Sequence, residues 1–223
     1  MSALAHAYVM VGGRLWLDFA SSSDARREPG HDALRTFGAL LRWMEASGVV
    51  DEERAYTMRR RAEQQPAGAE AILQEARRLR QTLLELAVFG ARDDAVHEPA
   101  VTEINRILGR SSGVRRLERK DDGSYSHGFV PAGDAFATLL VPVVESAAES
   151  LTHGELGRIR ECAARDCERV FIDETRNSGR KWCEMEGCGN RAKARRYRDR
   201  NIPVPEPLSR DRPEGSLPHR AAP

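Results

Sequence analysis

Residues 162–200 read CAARDCERVFIDETRNSGRKWCEMEGCGNRAKARRYRDR, and all four cysteines of the 223-residue chain fall among them, at Cys162, Cys167, Cys183 and Cys188. The pattern is C-x4-C, a fifteen-residue loop, then C-x4-C. Two short-spaced pairs joined by such a loop can converge on a tetrahedral metal, each sulfur about 2.3 Å from the ion. Four thiolates saturate zinc and leave no position open for water or substrate, so the site is read as structural rather than catalytic. Two disulfides are the alternative, but they need an oxidising compartment to which nothing in the chain points. An iron–sulfur cluster is another, and two symmetric pairs fit zinc better.

Between the pairs, Val170-Phe171-Ile172 and Lys181-Trp182 read as two short strands, with Asp173 to Arg180 turning one into the other. Gly189 and Asn190 follow the last cysteine, then a helix-forming run from Arg191 to Arg200. Knuckle, hairpin and helix together suggest a treble-clef-like finger, too small to hold a core of its own, so that the metal supplies most of its folding energy. Asn190 is read chiefly as the N-cap of the helix, with contact to a base or phosphate as its other possible role.

The helix is the expected working surface. From Gly189 to Arg200 there are six basic residues and one acid, a net +5, whereas the whole chain is only +1. At about 100° per residue, Arg191, Arg195 and Arg198 share one face and Lys193, Arg196 and Arg200 a neighbouring one, leaving Ala192, Ala194 and Tyr197 to pack inward. Arginine forks match phosphates and guanine edges, so Asn190, Arg191, Lys193, Arg195, Arg196 and Arg198 are candidate contacts to duplex DNA. A merely solvating charged helix is the plainer alternative.

Cys188-Gly189-Asn190-Arg191 resembles the signature of the CGNR zinc-finger family of bacterial proteins, and Arg176-Asn177, Trp182-Cys183 and Lys193 sit where that family's pattern places them. The resemblance implies one zinc, bound in part by Cys188, and a DNA-binding module at the C-terminus of stress-related transcription regulators. In those proteins it stands behind an N-terminal domain called ABATE. The stretch LWLDFASS (15–22) is similar to the strand that opens that domain, although Ser21-Ser22 stands where the family usually has Asn-Thr.

Outward from the finger the chain reads as α+β: a mostly helical N-terminal domain (1–155) with two β-hairpins, the finger (156–202), and a Pro-rich tail (203–223) expected to be disordered. The first hairpin is expected from Tyr8–Val11 and Arg14–Phe19 about Gly12-Gly13, and the second from 114–119 and 124–130 about Asp122-Gly123. Asp18 is read as a carboxylate that ties down a nearby loop or helix start, and His127 as a half-buried sheet residue, because neither has a partner at catalytic or ligand spacing.

Helices are expected from a cap at Asp32 to about Gly48, from Asp51 to Gln65, from Gly68 to Gly90, from Pro99 to Gly109 and over 136–151, where Pro142 marks a kink or the true start. No apolar run is long enough to span a membrane, and the N-terminus lacks the pattern of a signal peptide, so a cytoplasmic location is expected. No P-loop or H-E-x-x-H is present and no carboxylates are paired near a nucleophile, so an enzyme is not expected. The reading is a zinc-dependent DNA-binding regulator whose N-terminal domain senses a small-molecule or protein effector or forms a homodimer. Its rival is a zinc-stabilised module for RNA or an acidic protein surface.

Overall fold

The computed structural model describes residues 8–23, 32–93, 97–110, 113–119, 123–132 and 136–200. Among them are seven α-helices and two pairs of antiparallel strands. The body is built on α4 (Pro66–Asp93), about 42 Å long at 1.5 Å per residue. Its stripe of Ile72, Ala76, Leu79, Leu83 and Leu86, repeating at alternating four- and three-residue steps, is buried. Packed against it are α1 (Leu15–Ala20), α2 (Phe37–Ala46), α3 (Glu52–Gln64) and α5 (Glu98–Arg110). The helix starts at Pro66 and runs through Gly90 without stopping. A Cβ on Gly90 would stand 3.1 Å from Cβ of Leu156, so that glycine serves a close approach by the short 3-10 turn Leu156–Arg158.

Helix ends follow local side chains. Asp51 caps α3 by accepting from the N–H of Arg54 at 2.7 Å, and Thr36 caps α2 through the N–H of Ala39. Asp32, expected as that cap, lies upstream instead: it accepts from the N–H of Leu34 and pairs with Arg80 of α4. Burial disfavours its charge, but these partners outweigh the penalty and hold its carboxyl below the usual range. Pro142 marks the true start of α6 (Val141–Thr152), where a missing N–H costs nothing.

The expected first hairpin does not form. Residues 8–11 are not a strand, and Leu15–Ala20 is α1. Leu15, Leu17 and Phe19 alternate with Arg14, Trp16 and Asp18 as in a strand, but Trp16 is buried along with Leu17, Phe19 and Ala20, a spacing of one, three and four that belongs to a helix face. Asp18 does tie down the loop ahead of it, its Oδ1 accepting from the N–H groups of Val11 and Gly12 at 2.8 Å each. Burial pushes its carboxyl up, and those two bonds and nearby Arg169 oppose the shift.

The second hairpin forms. β1 (Gly113–Arg119) pairs antiparallel with β2 (Tyr125–Pro131), Leu117 opposite His127. Gly123 takes φ +83°, as such a turn requires, whereas residues 120–122 and the side chain of His127 lie outside the described residues. The tail 203–223 lies outside them too.

β4 (Val170–Ile172) does not pair with Lys181-Trp182 as expected. It pairs antiparallel with β3 (Ile159–Glu161), immediately before the first cysteine, with Ile159 opposite Ile172. Ile159, Val170 and Ile172 belong to the same buried cluster as α1, α4 and α6. The sheet of the finger is therefore an edge of the body's core. The seam is close: the N–H of Ile172 donates to the carbonyl of Gly12 at 2.9 Å, and that of Val170 to Oγ of Ser21 at 3.1 Å. Arg14 adds a two-pronged pair with Glu155 and a third contact to Glu174, and Ser150 links Glu155 to the buried indole N–H of Trp16.

Gly13 sits in this seam with φ +79°, and a Cβ there would meet Cγ2 of Ile172 at 2.8 Å. Gly13→Ala combines left-handed strain with a backbone-held clash against a buried strand, a loss of about 3 kcal/mol. The urea midpoint of the zinc-loaded protein, followed by tryptophan fluorescence, should fall accordingly; an unchanged midpoint would contradict the packing described.

Candidate metal centre and basic helix

The four sulfurs come from two turns that face each other. In the first, the N–H of Cys162 donates to the carbonyl of Arg169 and that of Cys167 to the carbonyl of Ala164, folding the C-x4-C segment back on itself. Lys181 joins the two turns through its carbonyl, which accepts from the N–H of Ala163 at 2.9 Å. In the second, a π-helical turn (Met185–Gly189) brings Cys188 back over Cys183, the N–H of Gly189 bonding to the carbonyl of Glu184.

All four Sγ atoms lie within 4.8 Å of one another. Cys167 and Cys183 are 3.8 Å apart and Cys183 and Cys188 3.6 Å. A tetrahedron with zinc–sulfur bonds of 2.3 Å has edges of about 3.8 Å, so the donor set fits zinc. The cysteines are free, and Cys162, Cys183 and Cys188 are buried.

The neighbouring thiols also shift one another's acidity. Thiol donors Cys167 and Cys183 hold Cys162 well below the usual thiol range. The bond to Cys162 pushes Cys167 up to about 11, and Cys162 and Cys167 push Cys183 up as well. Four thiolates at this spacing need a cation between them. The N–H of Cys183 donates to Sγ of Cys162, and Nη2 of Arg191 to Sγ of Cys188 at 3.2 Å, each offsetting negative charge on sulfur.

The π-helical turn runs straight into α7 (Asn190–Arg200). Asn190 is therefore not a cap. With φ −68° and ψ −38° it is already helical, and the residue ahead of the turn is Glu184 at φ −153°. Arg191 turns inward, its Nε 3.6 Å from Asp166 and its fork on Cys188.

Ala192, Ala194 and Tyr197 do not pack inward either: α7 buries none of its residues, and Tyr197 is 65% exposed. The two expected basic faces separate only in part, because Arg196 lines the cavity on either side of it. Arg191, Arg195 and Arg198 line a cavity of about 400 Å³ against the first cysteine turn, and Lys193, Arg196 and Arg200 line another of about 510 Å³.

Two residues that hold the finger together escaped the sequence reading. Asp173 is wholly buried at the end of β4. Its Oδ1 accepts from the N–H and hydroxyl of Thr175, and its Oδ2 from the N–H of Arg180. Burial raises its pKa, yet these bonds and the charge of Arg160 outweigh it and hold the carboxyl below its ordinary value. The Asp-x-Thr order is a turn signal that could have been read. Arg180 lies over the ring of Phe171, 4.3 Å from its centroid, and donates to the carbonyls of Val11, Ile172, Trp182 and Cys183. Its contact with Val11 spans 169 residues, beyond any local pattern.

A closed tetrahedron of four sulfurs, three of them on buried cysteines, at the edge of a helical body defines a structural zinc-finger protein. The chain belongs to the ABATE family, described as "Putative stress-induced transcription regulator", whose model matches residues 13–154, and the CGNR zinc-finger model matches residues 158–201. The finger accordingly holds one structural zinc on Cys162, Cys167, Cys183 and Cys188. Neither family is a family of enzymes. No curated protein matches the chain. No helix among the described residues is long and apolar enough to cross a membrane.

Proposed function

We propose that the protein is a cytoplasmic, zinc-dependent transcription regulator that binds duplex DNA through α7. One observation carries this reading: the side chains of Lys193, Arg195, Arg196, Arg198 and Arg200 make no ion pair or hydrogen bond among the described residues, on a helix that buries nothing. Eleven residues are too few for a stable helix in water, and like charges at this density weaken it further. A helix retained in that state gains its stabilising partner from outside, and a polyanion whose phosphates match arginine forks is the complementary one.

Lys193, Arg195, Arg196 and Arg198 are the proposed contacts, with Asn190 at the exposed first turn beside them. Arg191, engaged with Cys188, holds the base of the helix to the metal site. Zinc, when bound, fixes the two cysteine turns against each other and thereby sets the direction in which α7 leaves the body. A single module buries roughly 600–1,000 Å² on DNA, so useful specificity calls for two fingers, and the proposed part of the helical body is to pair two copies, sense an effector, or both.

The test is duplex binding at several salt concentrations. Each phosphate contact contributes about −0.9 to the slope of log K against log salt, so Arg195→Ala combined with Arg198→Ala should flatten the slope by about two. An unchanged affinity and slope would remove α7 as the contact surface. Tighter binding to single-stranded RNA than to duplex DNA would favour the interaction-module reading instead, with the exposed Tyr197 as the stacking residue.

A further inference from the structure

The loop between β4 and Cys183 carries two more cations that no acid among the described residues neutralises. Arg176 and Lys181 are exposed and make no ion pair or side-chain hydrogen bond among the described residues, whereas the neighbouring Arg14, Arg158, Arg160 and Arg180 are all engaged. Both line a cleft of about 490 Å³ together with Trp182, Met185, Asn177 and the one acid there, Glu184. Met185 is 48% exposed, a large apolar side chain left open beside the two cations.

This loop is held in place. Asp173 grips it at Thr175 and Arg180, and the N–H of Gly179 donates to the hydroxyl of Thr175 at 3.1 Å. Ser178 is fixed at φ +46°, in the left-handed region, and is the one such non-glycine residue in the described chain. The cleft also borders the surface of α7: Trp182 lines both this cleft and the cavity that holds Arg191, Arg195 and Arg198. Cations beside an aromatic and a thioether side chain match a sugar–phosphate strand, with charged oxygens outside and an apolar sugar face within.

We infer that the cleft is a second contact on the same duplex, receiving a backbone strand that flanks α7, with phosphates on Arg176 and Lys181 and a sugar against Trp182 and Met185. The inference rests on the duplex-DNA reading of α7. It assigns the loop a positioning task that is indifferent to sequence, since phosphate contacts set register and carry no base information. A pre-ordered loop also loses little conformational freedom on binding.

The experiment compares the full zinc-loaded protein with the double variant Arg176→Ala plus Lys181→Ala on two duplexes of unrelated sequence. Both side chains are exposed and unpaired, so metal content and urea midpoint should match wild type. Loss of two phosphate contacts at about −0.9 each flattens the salt slope by about 1.8, so raising salt from 50 to 200 mM should weaken the variant about twelvefold less than wild type. The loss should be equal on both duplexes, and quenching of tryptophan fluorescence on binding should shrink. If the double variant keeps the wild-type slope while Arg195→Ala plus Arg198→Ala flattens it, the cleft is not a contact and α7 binds alone. If wild type itself shows no salt-dependent duplex binding, the reading of α7 falls and this inference falls with it.

Discussion

Removing the metal with a strong chelator at pH 7 should abolish duplex binding and release both cysteine turns and α7, while helices α2–α6 stay folded. The buried residues divide along that line. Ile159, Val170 and Ile172 belong to the large cluster centred on α4, but Cys162, Ala164, Phe171, Cys183 and Cys188 form a separate small one, joined only at its edge by Val11, Cys167 and Trp182. Three of those five residues are metal ligands, so without zinc the small cluster keeps almost nothing apolar to hold it closed. Zinc binding in small fingers is worth about 10–16 kcal/mol at neutral pH, well above the stability of such a cluster.

α7 has little fallback, because it packs on the π-helical turn that Cys188 anchors and meets the first cysteine turn through Arg191 and Asp166, and both turns depend on the metal. Cys183→Ser should reproduce the chelated state, since that cysteine is 1% exposed and its sulfur lies within 4 Å of two others. The expected record is hydrogen exchange that becomes fast across 162–169 and 181–200 and stays slow in α4. Retained protection in 181–200 together with DNA binding after complete metal removal would show that the turns are self-supporting.

The division between what was legible and what was not follows the range of the interactions. Cys162, Cys167, Cys183 and Cys188 declare themselves because ligand spacing is local and the chain has no other thiol. The stripe of α4 is equally plain, since its period repeats over 28 residues. The short α1 was misread because six residues cannot separate a period of two from one of 3.6, and Trp16, the residue that decides between them, is apolar in both readings.

β3 goes unmarked in the sequence because three residues carry no pattern, so the partner of β4 was sought downstream where the turn residues are. The N-cap expected at Asn190 failed for a different reason. A π-helical turn begins five residues earlier and passes directly into α7, so the first orphan N–H groups lie ahead of Cys188 rather than after it. Arg191 counts as a surface cation by composition, and only the proximity of Cys188 and Asp166 shows that its charge is already used.

Asp173→Asn should cost about 3 kcal/mol at pH 7, because the position admits only acceptors and asparagine offers one. Oδ1 already takes two bonds from Thr175, and Oδ2 faces the N–H of Arg180 at 2.9 Å, where an amide NH2 would set donor against donor. Turning the amide over would move the conflict to Thr175. Either way the chain near Arg180 shifts, and with it a guanidinium that ties Val11, Ile172, Trp182 and Cys183 together.

The body, the strand β4 and the second cysteine turn therefore depend on one carboxylate, and both the urea midpoint and zinc retention should fall. The pH dependence has a definite sign. The folded carboxyl lies below its unfolded value of about 3.9, so its contribution is complete above that pH and disappears as pH falls through the folded pKa. The difference in stability between wild type and variant should thus be flat from pH 8 to 5 and close below about pH 4. A difference that closes near neutrality, or no difference at pH 7, would mean that the three bonds to Asp173 do not hold the loop.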